Sequence, residues 1–317
     1  MSIRTKLIFG LGAALAPWLL AVPTFAVDEQ FAPTGIVQLP DAQILSAFDI
    51  SFVDPASRTL AIAASRVVGS GGPFGTVIIV NPDENVVTKE LQASPPFVGN
   101  CTFGKPAPQP AINGPNGVIV IGKTKGSAAQ VWAADGPVFS TPCNPATALA
   151  TPSTVKVLDL NSGATIAVIQ TGTGAGTKTP GIRRADELCY GSGVVLVAND
   201  DPLDNFITFI DQTTFGVIQR IRFDGTDPNG LNILANGIEQ CIFNPRDGKF
   251  YLNIPNTGPV TVPPTPLPGV TVRISGSAPF QVEAVFDFSK PPLNTTGCTG
   301  GTGIALGLIH SSPSLAT

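Results

Sequence analysis

Short apolar runs separated by turn-forming residues dominate the chain after its first 26 residues. The stretch from Ala185 to Ile221 shows this pattern most clearly, because Val, Ile and Phe fill its runs while Gly, Asn, Asp and Pro fill the gaps. This combination is typical of β-strands joined by tight turns. The stretch therefore predicts an antiparallel meander of four strands. The predicted strands are Leu188-Cys189-Tyr190, Val194 to Ala198, Phe206 to Ile210 and Phe215 to Ile221.

The same unit recurs along the chain. A small residue followed by a first strand opens each copy, and three further strands align after four of these openings. The openings are Ala47, Gly117, Ala185, Gly237 and Gly303. Sheets that are apolar on both faces must be sandwiched between similar sheets, and a radial arrangement is the usual solution. We therefore predict an all-β fold, a β-propeller of four full four-stranded antiparallel blades and a truncated fifth, with a β-sandwich or a β-helix as alternatives.

The fifth unit has its first strand and little more, because only 14 residues follow Gly303. A lone strand is predicted over residues 34–39, and in many propellers such a strand completes the last blade. We expect either that Ile36 and Val37 pair with the strand at Ile304 and close the ring, or that the chain is a shortened version of a longer one. In the second case Cys298 would be a cysteine that has lost its partner.

The first 26 residues have the features of a secretory signal peptide. Arg4 and Lys6 precede a mostly apolar core over residues 7–22, and small residues lie where a signal peptidase would cut. We expect cleavage, a single propeller domain over residues 27–317, and a secreted or periplasmic protein; an uncleaved N-terminal anchor is the alternative. No later stretch is long and apolar enough to predict a membrane span in the mature chain.

Composition excludes some classes of function. The formal net charge is −4 and only 13% of the residues are charged, so the chain lacks the basic patches expected of a protein that binds nucleic acid. The sequence has one histidine, His310. Catalysis by a histidine base, or a metal site rich in histidine, is therefore not expected.

Two sets of polar residues are candidates for a site. Asp49, Glu187 and Glu239 occupy the same position in three aligned first strands, so their carboxylates could meet at the propeller axis and suit a hard cation such as Ca²⁺. The alternative is that they bind backbone N–H groups of adjacent blades. The second set lies at the ends of the second strands, which should share one face of the propeller. It predicts either a surface that binds a ligand or a cation, or ordinary turn chemistry. Its members are Arg66, Asp135, Asn199, Asp200 and Asn256.

The five cysteines are an odd number for an exported chain. Cys101 and Cys143 flank irregular parts of the second unit, and we predict a disulfide between them. Cys189 and Cys241 occupy the same register in adjacent units. Because equivalent side chains point the same way round a ring, and their Cα atoms should be too far apart for a bridge, we predict that these two are buried free thiols.

The third unit resembles a known repeat. Val195-Leu196-Val197-Ala198-Asn199-Asp200, followed by Asn205-Phe206-Ile207-Thr208-Phe209-Ile210-Asp211, is similar to the YVTN-type β-propeller repeat. The resemblance implies an exported or surface propeller, and some propeller lactonases are similar in holding one divalent ion on the axis. Our leading hypothesis is a binding module without catalysis, which takes a protein or small-molecule ligand on one face. The alternative is a metal-dependent, lactonase-like hydrolase that uses Glu187, Glu239 and Asp49 or Asp200.

Overall fold

The computed structural model describes residues 35–40, 44–64, 66–68, 75–97, 114–123, 128–136, 153–172, 184–200, 205–258, 268–290 and 304. The chain divides into two compact units, Met1–Ile36 and Val37–Thr317, and the account below concerns the second. The described part contains no helix whose length and hydropathy would allow it to cross a bilayer.

Eighteen strands and one short 3₁₀ turn, Pro228–Gly230, form the described secondary structure. The strands are β1 (Ile44–Ala47), β2 (Ser51–Asp54), β3 (Thr59–Ala64), β4 (Arg66–Val68), β5 (Thr76–Asn81), β6 (Val86–Leu91), β7 (Val118–Ile121), β8 (Gln130–Asp135), β9 (Thr154–Asp159), β10 (Thr165–Gln170), β11 (Arg184–Gly191), β12 (Val194–Asp200), β13 (Phe206–Asp211), β14 (Val217–Arg222), β15 (Cys241–Asn244), β16 (Lys249–Ile254), β17 (Val270–Ile274) and β18 (Val282–Asp287).

Sixteen of these strands form four antiparallel sheets of four strands each, which we call blades 1 to 4. Blade 1 is β2-β3-β5-β6, blade 2 is β7-β8-β9-β10, blade 3 is β11-β12-β13-β14 and blade 4 is β15-β16-β17-β18. The predicted propeller of four-stranded meanders is confirmed. The remaining strands, β1 and β4, pair with each other beside blade 1. The fifth unit lies outside the described residues except for Ile304.

Burial within the blades follows from their radial packing. The middle strands β8, β12 and β13 are buried along nearly their whole length, because they have another blade on each side. The outer strands β10 and β14 alternate between exposed and partly buried residues, as expected for the rim of a disc. Separate apolar clusters fill the spaces between blades 1 and 2, 2 and 3, and 3 and 4.

Asp side chains close the turns between the third and fourth strands. In blade 3, Asp211 Oδ1 accepts the backbone N–H groups of Thr213 and Thr214 at 3.0 and 2.7 Å. Asp159 does the same in blade 2, where its Oδ1 accepts the N–H groups of Asn161 and Ser162. The predicted turn chemistry at these positions is thus visible as hydrogen bonds, and it fixes the register of each outer strand.

The predicted closing segment contacts blade 1. Gln38 forms a parallel bridge with Val86 of β6, and Leu39 packs on Ile78 and Val80 at the face of blade 1 that points away from blade 2. The backbone N–H of Ile304 donates to the side chain of Gln240 at 3.2 Å, and the expected pairing of its strand with Ile36 and Val37 stays a prediction. Gln38 and Leu39 lie at the outer edge of blade 1.

The prediction for Cys189 and Cys241 was wrong, because the two residues form a disulfide. Their Cα atoms are 5.7 Å apart, well inside the range that a disulfide spans. The reason is geometric: β11 and β15 are the innermost strands of adjacent blades, and such strands converge on the axis. A Cβ added to Gly191 would overlap the ring of Phe243, which shows how closely the two strands approach. Cys101 and Cys143 lie outside the described residues.

Candidate functional site

The innermost strands of all four blades surround a cavity on the propeller axis. Its volume is about 500 Å³, and β2, β7, β11 and β15 supply nearly all of its lining together with Ile304. Its wall is mixed, with somewhat more apolar than polar surface. The apolar residues used below are Ile50, Phe52, Val118, Leu188 and Ile242, and the polar residues are Ser51, Asp54, Glu187 and Gln240. We call this cavity the central channel.

A β-bulge shapes the wall where β11 begins. Ala185 pairs with Asn199 and Leu188 pairs with Val197, so Asp186 and Glu187 together oppose the single residue Ala198. A bulge interrupts the strict alternation of side chains and re-aims them locally. Consecutive carboxyl groups therefore lie in one charged region at the start of the channel, whereas a regular strand would direct them to opposite faces.

Five carboxyl groups, of which Glu187 lines the channel, gather around Arg184. Nη2 of Arg184 lies 2.6 Å from Oδ2 of Asp186 and 3.2 Å from Oδ2 of Asp200, and its Nη1 lies 3.9 Å from Oδ2 of Asp49. Glu187 and Glu239 interact with these groups electrostatically. We call Asp49, Asp186, Glu187, Asp200 and Glu239 the acid cluster.

Three strand starts and one strand end supply the acid cluster. Asp49 precedes β2, Glu239 precedes β15, and Asp200 ends β12. Close packing between blades holds these segments together. A Cβ on Gly117, just before β7, would overlap the backbone carbonyl of Asp186, and Nδ2 of Asn116 donates to the carbonyl of Ala185 at 3.1 Å. The small residue predicted to open the second unit is therefore required by the approach of β7 to β11.

Burial raises the pKa of every carboxyl group in the acid cluster. Desolvation is the largest cause for each group. For Glu187 it is reinforced by the negative charges of Asp186, Asp49 and Glu239, and the pKa rises from 4.5 to about 9 although Arg184 opposes the change. Among the described residues, Arg184 is the cation that opposes these shifts, and it does not offset the effect of burial. Glu187 is therefore protonated at pH 7.

Asp186 has an oxygen without a hydrogen-bond donor. Its side chain is only 3% exposed, and no N–H or O–H group donates to its Oδ1. The side chain also lies in hydrogen-bonding contact with Asp49. That contact lowers the pKa of Asp49, but burial raises the same pKa by more. The charge of Asp49 adds to the effect of burial and raises the pKa of Asp186 further.

The structure brings some of the predicted site residues together and separates others. Asp49, Glu187, Asp200 and Glu239 all belong to the acid cluster. Asp135 does not: it is fully buried, and its Oδ2 lies 2.5 Å from Nζ of Lys156. The same ammonium group donates to the carbonyl of Pro96 at 2.6 Å, so this ion pair joins blade 2 to the chain that follows blade 1.

Two further predicted residues also make structural contacts. Nδ2 of Asn199 donates to the carbonyl of Val197 and to Oγ1 of Thr208, both at 3.2 Å, and its Oδ1 accepts from Ser153 of blade 2 at 3.3 Å. The backbone carbonyl of Asn256 accepts the N–H of Asn236 at 2.9 Å. Nothing is described for the side chain of Arg66, the remaining member of that set.

Sequence reasoning missed Asp186 altogether. The position of Arg184 beside the predicted strand start did indicate a cation that could neutralise the acids, and its ion pairs agree with that. Asp186 gave no signal, because an acid next to Glu187 on a regular strand would point away from the axis. Only the bulge, which depends on the pairing with β12, places it in the cluster.

The acid cluster offers carboxyl oxygens, but not in a metal-binding arrangement. Within the part of the chain that the structure describes, no group of three His, Cys, Asp or Glu side chains could hold a metal ion. What the cluster supplies is a set of buried carboxyl groups with raised pKa values, of which Glu187 reaches a channel that also has apolar side chains in its wall. That combination suits a ligand with a cationic or hydrogen-bonding end and an apolar body.

Comparisons with known proteins identify no family for this chain. No family model matches the sequence, and no curated protein does either. Among solved structures, the chain is similar to hydrazine synthase from Kuenenia stuttgartiensis, at 12% identity over 73% of this chain and 52% of that one, with a TM-score of 0.45. The Dos1 propeller matches at 7% identity over 75% and 47% of the two chains, with a TM-score of 0.43.

A third solved structure, the dihydro-heme d1 dehydrogenase NirN in complex with DHE, matches at 12% identity over 79% of this chain and 38% of that one, with a TM-score of 0.42. The chain spans about half the length of the first two structures and less of the third. At these identities and TM-scores, nothing about this chain follows from the likeness. The resemblance to the YVTN-type repeat stays a prediction.

Proposed function

We propose that this protein is an exported β-propeller that binds a small-molecule ligand in its central channel, without catalysis of its own. One observation carries the proposal: Glu187 of the acid cluster lines a cavity of about 500 Å³ whose wall also carries apolar side chains. A concave, largely apolar site with a few convergent polar groups of perturbed pKa is the usual form of a ligand site.

The protonation state of Glu187 favours binding over proton abstraction. Glu187 lines the channel, and with a pKa of about 9 it is neutral at pH 7. A neutral carboxyl group donates a hydrogen bond to a ligand but does not act as a general base. The hydrolase alternative needs a divalent ion, and no specific arrangement of ligands in the described residues favours it.

Export is supported by two features of the chain. The N-terminal sequence has the order of charges and apolar residues of a signal peptide. The disulfide between Cys189 and Cys241 is of the kind that persists in oxidising compartments. A location outside the cytoplasm therefore remains part of the proposal, and N-terminal sequencing of protein recovered from the periplasm or medium tests it.

Filling the channel tests the binding proposal. Ser51 is exposed and lies on the channel wall, so Ser51→Phe adds a ring to the cavity without displacing a buried group. Thr213→Phe, at an exposed turn of blade 3, is the matched control. A library of small amines, alcohols and carboxylic acids is screened by thermal shift against all three proteins.

We expect compounds that raise the melting temperature of the wild type and of Thr213→Phe but not of Ser51→Phe. Stabilisation that is equal in all three proteins would place the ligand elsewhere and overturn the proposal. Hydrolysis of a lactone by the wild type in the presence of Ca²⁺, lost in Glu187→Gln, would establish the enzymatic alternative instead.

A further inference from the structure

We propose that the disulfide between Cys189 and Cys241 is a site of covalent modification by a small-molecule thiol. The thiol enters the central channel, exchanges with the bridge and becomes attached to Cys241. This inference goes beyond the proposed function, because it concerns a reaction of the channel wall and needs no bound ligand. Three features of the bridge lead to it: its place on the cavity wall, the unequal burial of its two cysteines and the packing around it.

The bridge lies on the wall of the central channel. Both Cys189 and Cys241 line the cavity of about 500 Å³, together with residues from the innermost strands of the other blades. A cavity of this volume has room for a thiol of a few non-hydrogen atoms, since a water molecule in the liquid occupies about 30 Å³. A small thiol therefore reaches the bridge without any separation of the blades.

Unequal burial determines which sulfur is attacked. Cys189 is only 6% exposed and belongs to the apolar cluster between blades 3 and 4, whereas Cys241 is only partly buried against that cluster. Thiol–disulfide exchange depends on which of the two sulfur atoms the incoming thiolate can reach. The attack is therefore expected at Sγ of Cys241, and Sγ of Cys189 is the leaving group.

The exchange balances without a further oxidant or reductant. The small thiol loses its proton to solvent, and its sulfur attacks Sγ of Cys241 as a thiolate. A new S–S bond forms while the bond between Cys241 and Cys189 breaks. The electron pair of the broken bond goes to Sγ of Cys189, which takes up a proton from solvent. The small thiol is thereby oxidised to one half of a mixed disulfide, and Cys189 is reduced to a thiol.

Packing between blades 3 and 4 holds them together when the bridge is broken. A Cβ added to Gly191 of β11 would overlap the ring of Phe243 of β15, so the two innermost strands are in direct contact. The rings of Phe243 and Phe250 lie 4.9 Å apart between centroids, and those of Phe209 and Phe280 lie 3.8 Å apart. None of these contacts needs the S–S bond, so we expect the exchange to occur in the folded protein.

Incubation of the folded protein with 2-mercaptoethanol, followed by acid quenching, alkylation and peptide mass mapping, tests the inference. We expect loss of the bridge and a mixed disulfide at Cys241 in native buffer. The rate should not change at urea concentrations well below the unfolding midpoint, because the reaction does not pass through the unfolded state. Reduced thioredoxin, a protein dithiol too large for the channel, should break the bridge only when the protein unfolds.

Ser51→Phe tests the route through the channel, because it adds a ring to the cavity whose wall contains the bridge. We expect this variant to react with 2-mercaptoethanol about tenfold more slowly or less than that, since the rate of exchange depends on access to the sulfur. Thr213→Phe, at an exposed turn of blade 3, is the matched control and should react as the wild type does.

A pair of cysteine variants tests which sulfur is attacked. Cys189→Ala leaves Cys241 as a free thiol, and Cys241→Ala leaves Cys189, so each variant loses the same bridge and is the control for the other. Both are treated with bis(2-hydroxyethyl) disulfide in native buffer. We expect Cys241 in the first variant to be modified about tenfold faster than Cys189 in the second, because Cys241 is the less buried residue.

The possible results separate this inference from the proposed function. Loss of the bridge only at urea concentrations that unfold the protein would overturn the inference and leave the bridge with a structural role. Equal rates in the wild type and Ser51→Phe would overturn the route through the channel. Faster modification of Cys189 than of Cys241 would overturn the assignment of the attacked sulfur. Each of these results leaves reversible binding of a ligand intact, which the thermal-shift screen tests by itself.

Discussion

Replacement of Glu187 by glutamine should make the free protein more stable at neutral pH. The carboxyl group has an ordinary pKa of 4.5 in the unfolded chain and a pKa of about 9 in the folded protein. At pH 7 the unfolded form is ionised while the folded form is protonated, so folding must take up a proton. Glutamine is neutral in both states and has nearly the same shape, so Glu187→Gln removes this requirement without leaving a gap.

The expected gain in the free energy of unfolding follows from the difference between pH 7 and the ordinary pKa of 4.5. Each pH unit between them corresponds to about 1.4 kcal/mol, so protonating Glu187 at pH 7 costs about 3 kcal/mol. The wild type loses stability as pH rises from about 4.5 to about 9, because the folded state binds the proton that the unfolded state has released. The advantage of Glu187→Gln should therefore be small at pH 4 and grow with pH.

Urea unfolding of both proteins between pH 4 and pH 9, followed by far-ultraviolet circular dichroism, measures this advantage. Glu84→Gln is the control, because Glu84 is exposed and its replacement should change the free energy of unfolding by less than about 0.5 kcal/mol. Glu187→Gln that is no more stable than the wild type at pH 7, with a difference that does not depend on pH, would refute the reasoning. In that case Glu187 would be ionised in the folded protein.

Three further changes test the packing of the blades. Cys189→Ala combined with Cys241→Ala should lower the free energy of unfolding by up to about 4 kcal/mol, since the disulfide spans 52 residues, and a reductant should then lower the urea midpoint of the wild type but not of the variant. Asp135→Ala should destabilise by about 3–5 kcal/mol in urea unfolding, because it leaves the buried ammonium group of Lys156 without its carboxylate. Gly117→Ala should lower the free energy of unfolding by about 1–3 kcal/mol or more, because its Cβ would overlap the Asp186 carbonyl. Gly122→Ala is the control and should be tolerated, because its Cβ meets only an Asp54 oxygen at 3.8 Å. Equal melting temperatures of the two variants would contradict this.

The strands were predictable because their signal is local. The predicted run Val194 to Ala198 lies within β12, and the predicted run Phe206 to Ile210 matches β13 to within one residue. In both cases a short apolar run is bounded by turn residues on each side. The turns are so close together in sequence that only a short strand fits between them. The starting region of blade 4 was less clear, since β15 begins at Cys241, four residues after the small residue Gly237.

The disulfide could not be predicted by comparing registers. Equivalent positions in adjacent blades diverge at the rim and converge at the axis, so their separation depends on distance from the axis. That distance is set by how many blades close the ring and how tightly their inner strands pack. The sequence places Cys189 and Cys241 in first strands but does not say how close such strands come.

Asp135 and Asn199 illustrate another limit of sequence reasoning. Each is a polar residue at the end of a second strand. Residues of a ligand-binding face would lie at the same positions. Their partners are distant in sequence: Lys156 follows Asp135 by 21 residues, and Ser153 precedes Asn199 by 46. A polar residue satisfied by such partners and one directed at a ligand look alike until the pairing of strands is known.

The acid cluster is difficult to explain as a purely structural feature. An ion pair or an N–H donor at each carboxyl group would favour folding, but here burial raises the pKa of all five groups and one oxygen of Asp186 accepts no hydrogen bond. A domain of ordinary stability has only about 5–15 kcal/mol in total, so several kcal/mol held in one cluster is a large fraction. Sites that bind ligands are where such destabilising arrangements are expected, because the ligand supplies the missing interactions. If Glu187→Gln proves more stable than the wild type at pH 7, the carboxyl group of Glu187 lowers the stability of the folded protein, which a purely structural role does not predict.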